Sequence, residues 1–581
     1  MSWTSGATTA WYQHTSSPNN GRDKQLVALN KMQKVYENFP EVTLTAFDET
    51  GKVESTIPVP LQRTYTGRKP AIRSDLADKF CASLKIKDVL KELNEALHTS
   101  YTLDNPILHS VLESSILEYV DFGTLYAHLR PYWYDLTTVK SIREASRSRD
   151  LEMRNTMVTN KRIADGNIPP RRVWDLCANR VVPFWVASRR PWAISHSWVS
   201  DEEREDVPTP INGCEWPVPM PKDADLNLIR IQMLNSGAEE DLRTKEWEID
   251  VPTIGAIYRN TIRTVHYYLN GLGRPFILKP GYFENERCWF KRAWTLQEMG
   301  KSSMYATPTV DDSEDEYLKR MFEEKIRSLP LSPPQNVFDV LSEMDKRKSR
   351  KPLDKVAGLA YLLCAKSIPV YDETQSEKAE EAWEALVSVM AENYLAQLLF
   401  LYPEPGDGGK FWRPSWKQAT AARLPYNYFD LKPGFLQTEG TDTDWCLCTC
   451  IKSGNVRGLA KASNEGIPRQ GELVVKDDSG ALHIIKIFAD HKYPILDGSY
   501  TLIGEGFLPW RSVTNLNFLR YWVVGRQQSR GKFEKISVIQ MADVDERSKL
   551  DRLHVAQHNV QPFTASGGDR AIFHVPPRIV A

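Results

Sequence analysis

The sequence predicts a multidomain α+β protein, with a central α/β region between an α-rich N-terminal region and a β-rich C-terminal domain. Three observations carry this. At 581 residues the chain is too long for one ordinary core. From about residue 171 to 310 strand-like and helix-like stretches alternate, the pattern of a parallel sheet with covering helices. From about residue 440 the apolar period changes to two, the pattern of half-buried strands.

Taken in order, residues 1–40 are polar and rich in Ser, Thr, Asn and Gly, and read as a flexible N-terminus. Residues 41–165 read as an α-rich accessory domain. It opens on a hairpin from Val42 to Val59, turning at Asp48-Glu49-Thr50-Gly51. Ile86, Val89, Leu90, Leu93, Ala96 and Leu97 then recur at helical spacing. A second helix starts after Asp104 as N-cap, with Pro106 in its first turn, and a charged helix spans Val139 to Asn160. Pro169 and Pro170 mark a boundary. Within 171–310, Ala193 to His196 is a short buried strand, and Pro252 opens a helix carrying Ile254, Ile257 and Tyr258. Thr264 to Leu269 is a strand ended by Asn270-Gly271, and Trp289 to Met299 is a helix. The two strands are expected to be parallel neighbours. Residues 311–440 read as a linker and helical region, with an acidic run, a Pro-rich run and a helical stretch from Lys378 to Phe400. Residues 441–560 form the β-rich domain. Its strands are Glu472–Val475, Leu482–Phe488, Tyr500–Ile503, Tyr521–Val524 and Phe533–Ile539, expected as a barrel or a strongly bent sheet, with 561–581 as a tail.

Composition excludes several classes. Lys plus Arg number 74 against 75 Asp plus Glu, so no general drive toward nucleic acid or anionic membrane exists. The run Lys346-Arg347-Lys348-Ser349-Arg350-Lys351 can be read as a nuclear signal, but the preferred reading is the solvated end of a helix before Pro352. The eight cysteines include no C-x-x-C pair, so no metal site is expected. Cys446, Cys448 and Cys450 alternate and share one face of a strand. No secretory pattern and no membrane-spanning stretch is seen, so the expected compartment is reducing and cytoplasmic.

The chemistry is concentrated in Arg292-Ala293-Trp294-Thr295-Leu296-Gln297-Glu298. On a helix, Trp294 and Glu298 share one face. An aromatic floor beside a carboxylate suits a sugar or nucleotide. The same spacing suits a buried tryptophan with a solvated glutamate beside it. Upstream, the first strand of the α/β region ends in Ser195, His196, Ser197 and Trp198. In an open parallel sheet, ligands bind outside the carboxyl ends of the strands, where strand order reverses. The hydroxyls and imidazole there could hold a phosphate or ribose, with Trp198 stacking on a ring. The plainer alternative is a polar strand exit with one tryptophan closing the core.

R-A-W-T-L-Q-E resembles the signature of the fungal heterokaryon-incompatibility (HET) domain. Trp192-Ala193-Ile194-Ser195-His196-Ser197-Trp198 resembles that family's first strand and its following loop. Ile254-Gly255-Ala256-Ile257-Tyr258 and Val265-His266-Tyr267-Tyr268-Leu269 resemble its I-Y helix and next strand, and Asp354-Lys355-Val356-Ala357-Gly358-Leu359 resembles the D-K-V-x-G-L element that follows it. Together, in order over about 170 residues, they make 171–310 similar to a HET domain. The flanks, including Pro169 to Leu176, resemble a mushroom-type subgroup.

HET domains are thought to resemble Toll/interleukin-receptor (TIR) domains in fold, and several of those cleave NAD at the nicotinamide–ribose bond with the glutamate of a W-C-L-x-E pattern. The resemblance therefore implies a TIR-like fold with Glu298 as the catalytic carboxylate. Breaking an N-glycosidic bond builds oxocarbenium-like charge, which a fixed carboxylate stabilises. Trp294 would pack the site, while Arg292 would steer phosphate or pair with an acidic neighbour. NAD would be substrate, with no cofactor. One departure stands against this: the family's hydrophobic L-W-x-D strand is missing, and Gly237 to Glu246 is too polar for a central strand. A truncated gene product and a divergent non-catalytic member both remain open. Two functions follow. One is an effector of fungal non-self recognition and programmed cell death, acting by NAD-type nucleotide cleavage. The other is a non-catalytic module that self-associates through the HET domain and answers to a protein trigger.

Overall fold

The computed structural model describes residues 70–187, 191–235, 240–241, 250–259, 264–274, 278–298, 302–305, 316–327, 336–371, 378–408, 410–421, 434–437, 444–461, 467–505, 521–527, 533–553 and 557–562. The chain divides into two compact units, Met1–Thr64 and Tyr65–Ala581, and every described residue belongs to the second. The hairpin expected at 42–59 lies outside the described residues, as does most of the polar run from 237 to 246.

The N-terminal helices follow the apolar spacing. Helix α1 (Ile86–Leu97) buries Val89, Leu90, Leu93 and Leu97 and stops at His98, which takes a left-handed conformation with φ 55°. Helix α2 (Pro106–Glu118) is capped by Asn105, whose side chain accepts from the Ile107 and Leu108 amides, not by Asp104 as expected. Helix α3 (Phe122–Leu129) is capped by Asp121. Helix α4 (Val139–Thr156) ends before Asn160, because Asn160 and Lys161 have positive φ and turn the chain between the short paired strands Val158–Thr159 and Arg162–Ile163.

The core does not stop at Pro169 and Pro170. Leu93, Leu112, Phe122 and Trp133 share one hydrophobic cluster with Val173, Trp174 and Val182, and with Ile194 and Tyr268 further on. Arg180, 2% exposed, crosses the same boundary, donating to Asp121 at 2.9 Å, to Asp78 at 2.8 Å and to the Ala77 carbonyl at 2.6 Å. A buried guanidinium is tolerated only with this degree of pairing.

Strand β1 (Ala193–His196) is followed by α5 (Leu226–Asn235), α6 (Asp250–Arg259), β2 (Thr264–Tyr268) and β3 (Ser302–Tyr305). The three strands form one sheet in the order β1-β2-β3, parallel throughout, with Ala193 opposite Val265 and Ser302 opposite Thr264. The expected parallel pairing of the first two strands is what is found. Alternation divides the sheet's faces. Ala193, Val265 and Tyr267 pack on an aromatic cluster containing Tyr258, Phe283, Trp289 and Phe290, whereas Ile194 and Tyr268 join the N-terminal core.

The region expected as linker and helices has the helices expected at 378–400 and carries a large core of its own. Helices α7 (Val337–Asp345), α8 (Pro352–Ala357), α9 (Ala379–Val387) and α10 (Glu392–Phe400) bury Leu341, Val356, Trp383, Leu395 and Leu399 in one cluster. That cluster also takes Ala293 and Leu296 from the α/β region and Ile503, Tyr521 and Val523 from the C-terminal strands.

Those strands are β4 (Asp444–Arg457), β5 (Arg469–Lys476), β6 (Leu482–Ala489), β7 (Gly498–Glu505), β8 (Tyr521–Gln527) and β9 (Phe533–Met541). Antiparallel pairing runs β4-β5-β6-β9-β8-β7 and returns to β4, so six strands close into a barrel. Leu473, Val475, Ile485, Leu502 and Val524 fill it, while their neighbours Ile503 and Val523 face the helical core. Gly454 sits at a bulge where β4 meets both neighbours, and a Cβ there would lie 2.7 Å from Leu473 Cδ1 and from Leu502 Cδ1. Of the alternating cysteines, Cys450 is buried as expected. No described helix is long and apolar enough to cross a membrane.

Candidate functional site

The site forms where the carboxyl end of β1 meets the Trp289–Glu298 segment. Ser195 follows Ala193 by two, so it points to the aromatic face of the sheet, opposite Tyr267 on β2. Trp289, 1% exposed, is held edge-on to the Tyr267 ring, with centroids 5.5 Å apart. Its Nε1 donates to Ser195 Oγ at 2.7 Å, and Ser195 Oγ donates to Glu298 Oε2 at 2.5 Å. The result is a relay of donors ending on a carboxylate, a charge-assisted bond of the stronger kind. The Tyr267 hydroxyl donates to the Glu298 carbonyl at 3.1 Å, and Tyr258 on α6 donates to the Ile194 carbonyl at 2.7 Å. Glu298 is thus fixed through its side chain and its backbone, and the Ser195 hydroxyl brings it to the loop after β1.

Glu298 is only 7% exposed. Burial pushes its carboxyl above the usual range, opposed by the Arg292 charge, the Ser195 hydroxyl and the Arg347 charge. Arg292 is half-buried and leans the other way. Its Nη1 donates to the His196 carbonyl at 2.6 Å, and its guanidinium lies 4.7 Å from the centroid of the Trp198 ring. Trp198 is 51% exposed, so this cation–aromatic pair connects the buried carboxylate to the surface. His196 Nδ1 lies 3.0 Å from the Ser197 carbonyl, and the Ser197 hydroxyl donates to Leu269 at 2.6 Å, tying the loop to the end of β2.

Three expectations are corrected. Trp289–Met299 is not a helix: the described residues make two 3-10 turns, Trp289–Lys291 and Trp294–Leu296, with Arg292 extended between them. The reason is tertiary, because Arg292 bridges Lys348 and the Ala293 amide donates to the Lys348 carbonyl at 2.9 Å instead of closing a helical turn. Trp294 and Glu298 therefore do not share a floor. Trp294 packs on the helical core and bonds to Asp354, while Glu298 turns to Ser195. Trp294 is partly buried against that core. Lastly, strand order does not reverse at β1 among the described residues, where β1 is a sheet edge.

The basic run is solvated at Lys346, Lys348 and Arg350, as expected, and departs from that reading at one residue. Arg347 is 3% exposed, and its Nη1 donates to the Arg292 carbonyl at 2.9 Å and to Thr295 Oγ1 at 2.7 Å. Sequence reasoning missed Trp289, Tyr267 and Arg347. No spacing signal marks them, since each becomes polar machinery only through a partner distant in sequence. Among the described residues, no group of three or more His, Cys, Asp and Glu could hold a metal ion.

No protein-family model matches the chain, and no curated protein or solved structure matches it either. The geometry therefore has to speak for itself: a desolvated carboxylate on a fixed donor relay, with an arginine–tryptophan pair leading out to solvent. Such a carboxylate can stabilise positive charge or take a proton, and the arginine can meet an anion.

Proposed function

We propose that the chain is a HET-type effector of fungal non-self recognition and programmed cell death, acting by cleaving NAD or a related nucleotide at its N-glycosidic bond. The observation that carries this reading is the Trp289–Ser195–Glu298 relay at 2.7 and 2.5 Å, at the carboxyl end of a parallel strand. In this reading water adds to the anomeric carbon as the bond to nicotinamide breaks, giving nicotinamide, ADP-ribose and a proton. Glu298 stabilises the oxocarbenium-like charge on the ribose. A buried carboxylate meets that charge more strongly than a solvated one. Arg292 and Trp198 at the surface suit a phosphate and a ring.

A second reading is favoured by one observation, the near-complete burial of Glu298. There the relay is structural, and the α/β region is a non-catalytic module that self-associates and passes on a protein trigger. The test is nicotinamide release by purified full-length protein, wild type against Glu298→Gln, with circular dichroism as the folding control. Gln keeps size and an acceptor but not charge, so turnover should fall about a hundredfold or more. Equal release from both removes Glu298 from the chemistry, and no release from clustered wild type favours the non-catalytic module.

A further inference from the structure

We propose that Arg347 is a positioning residue of the Glu298 site, fixing the signature turn and bringing a fixed positive charge to it. It lies in the loop between α7 and α8, within the basic run. That loop docks on the signature along its backbone: the Lys348 amide donates to the Lys291 carbonyl, and the Ala293 amide to the Lys348 carbonyl. Docking drives Arg347 inward, where it bonds to Arg292 and Thr295 as described. The Thr295 hydroxyl in turn lies 2.7 Å from the Trp289 carbonyl, so one guanidinium sets both 3-10 turns and thereby the Trp289–Ser195–Glu298 relay.

A plain structural cap would not need a permanent cation, and burying one is costly. Arg347 Nε has no hydrogen-bond partner, so its burial is not explained by saturated bonding. Glu343 on α7, Glu298 in the turn and Cys288 act on it electrostatically and favour its charged form. Burial lowers its pKa to about 10, which leaves it fully charged at neutral pH. The other groups acting on Glu298 are Ser195 from β1, Tyr267 from β2 and Arg292 from the turn itself. Arg292 is shared, since it also interacts with Asp354 on α8. Arg347 is thus a second cation acting on this carboxylate, brought in by a loop outside the α/β region.

This inference rests on Glu298 being the working carboxylate, but its test needs no turnover. In full-length protein with 13C-labelled glutamate carboxyls, subtracting the Glu298→Gln spectrum isolates the Glu298 signal, which is then titrated. Arg347→Met should move the midpoint upward by about one pH unit or more, whereas Arg347→Lys should stay close to wild type. If Arg347→Met does not fold, Arg347→Gln removes the charge while keeping a donor for Thr295. An unchanged midpoint in a folded neutral variant overturns the proposal. A shifted midpoint with no nicotinamide release from any form leaves Arg347's role standing and removes the glycosidic reading. Nicotinamide release with no shift does the reverse.

Discussion

Removing one oxygen atom should loosen the whole site. Ser195→Ala deletes the hydroxyl that both accepts from Trp289 Nε1 at 2.7 Å and donates to Glu298 Oε2 at 2.5 Å. Two buried groups then lose a partner at once. A hydrogen bond to a charged group contributes roughly 1.5–3 kcal/mol, and stranding a buried donor costs roughly 1–3 kcal/mol more. The two losses share one site and are not additive, so about 3 kcal/mol is expected locally. A chain with several cores does not unfold in one step, so the assay is hydrogen exchange of the amides in Ala193–His196 and Trp289–Glu298. Their exchange should quicken by about two decades, while barrel amides such as those of Val523 and Ile487 stay unchanged. Adding Trp289→Phe removes the stranded donor and should recover part of the loss. Unchanged exchange in the Ser195→Ala variant would mean that the relay holds nothing together.

Two further outcomes are expected. Lys535 is buried, donates to the Leu399 and Trp412 carbonyls, and is held well below the usual lysine range by burial. Its depressed folded pKa means that its contribution is full above the unfolded value near 10.4 and lost as pH falls through the folded one, so wild type should lose stability relative to Lys535→Met as pH is lowered from about 10.5, measured by denaturation at each pH. Trp294→Ala should destabilise by about 2–3 kcal/mol, less than a fully buried tryptophan would, because the ring is half-buried but bonds to the buried Asp354. An effect within error on local exchange around Ala357 would place Trp294 outside the core.

Local pattern carried the fold a long way. Helix α1 and the paired strands β1 and β2 are legible because each has one strong period and its own stop signal, such as the turn after Leu269. Ser195, at the carboxyl end of a parallel strand, and Glu298, in the signature, are each legible in the sequence, and the fold joins them. What was not legible depends on contacts across long stretches of chain. The signature has good helical composition, yet Lys348 takes the Ala293 amide and breaks the turn. The run around Arg347 is among the most charged in the chain, and charge runs are usually solvated. Here a backbone bridge to the signature carries one of its guanidinium groups into the core. Likewise, the acids of 311–316 and the prolines of 329–334 suggest a linker at the start of 311–440, because composition there says nothing about the apolar faces of α7 to α10.

The same contacts bear on how the site would respond to its surroundings. Glu298 is anchored from β1 and β2, but the turn that presents it is fixed by Arg347, and its neighbour Trp294 by Asp354. Arg347 precedes α8 and Asp354 lies on it, and Val356 and Ala357 of that helix belong to the same hydrophobic cluster as Leu399 on α10 and Val523 on the barrel wall. Packed side chains thus run from the barrel wall to the helix beside the turn. The segment from Arg347 to Lys351 joins that helix to the signature. It is held to the signature by few backbone bonds, while its ends are fixed by buried helices. Removing it would take a donor from Thr295 and from the Arg292 carbonyl, and with them the order of the turn that presents Glu298, while Trp294 kept its bond to Asp354 on α8.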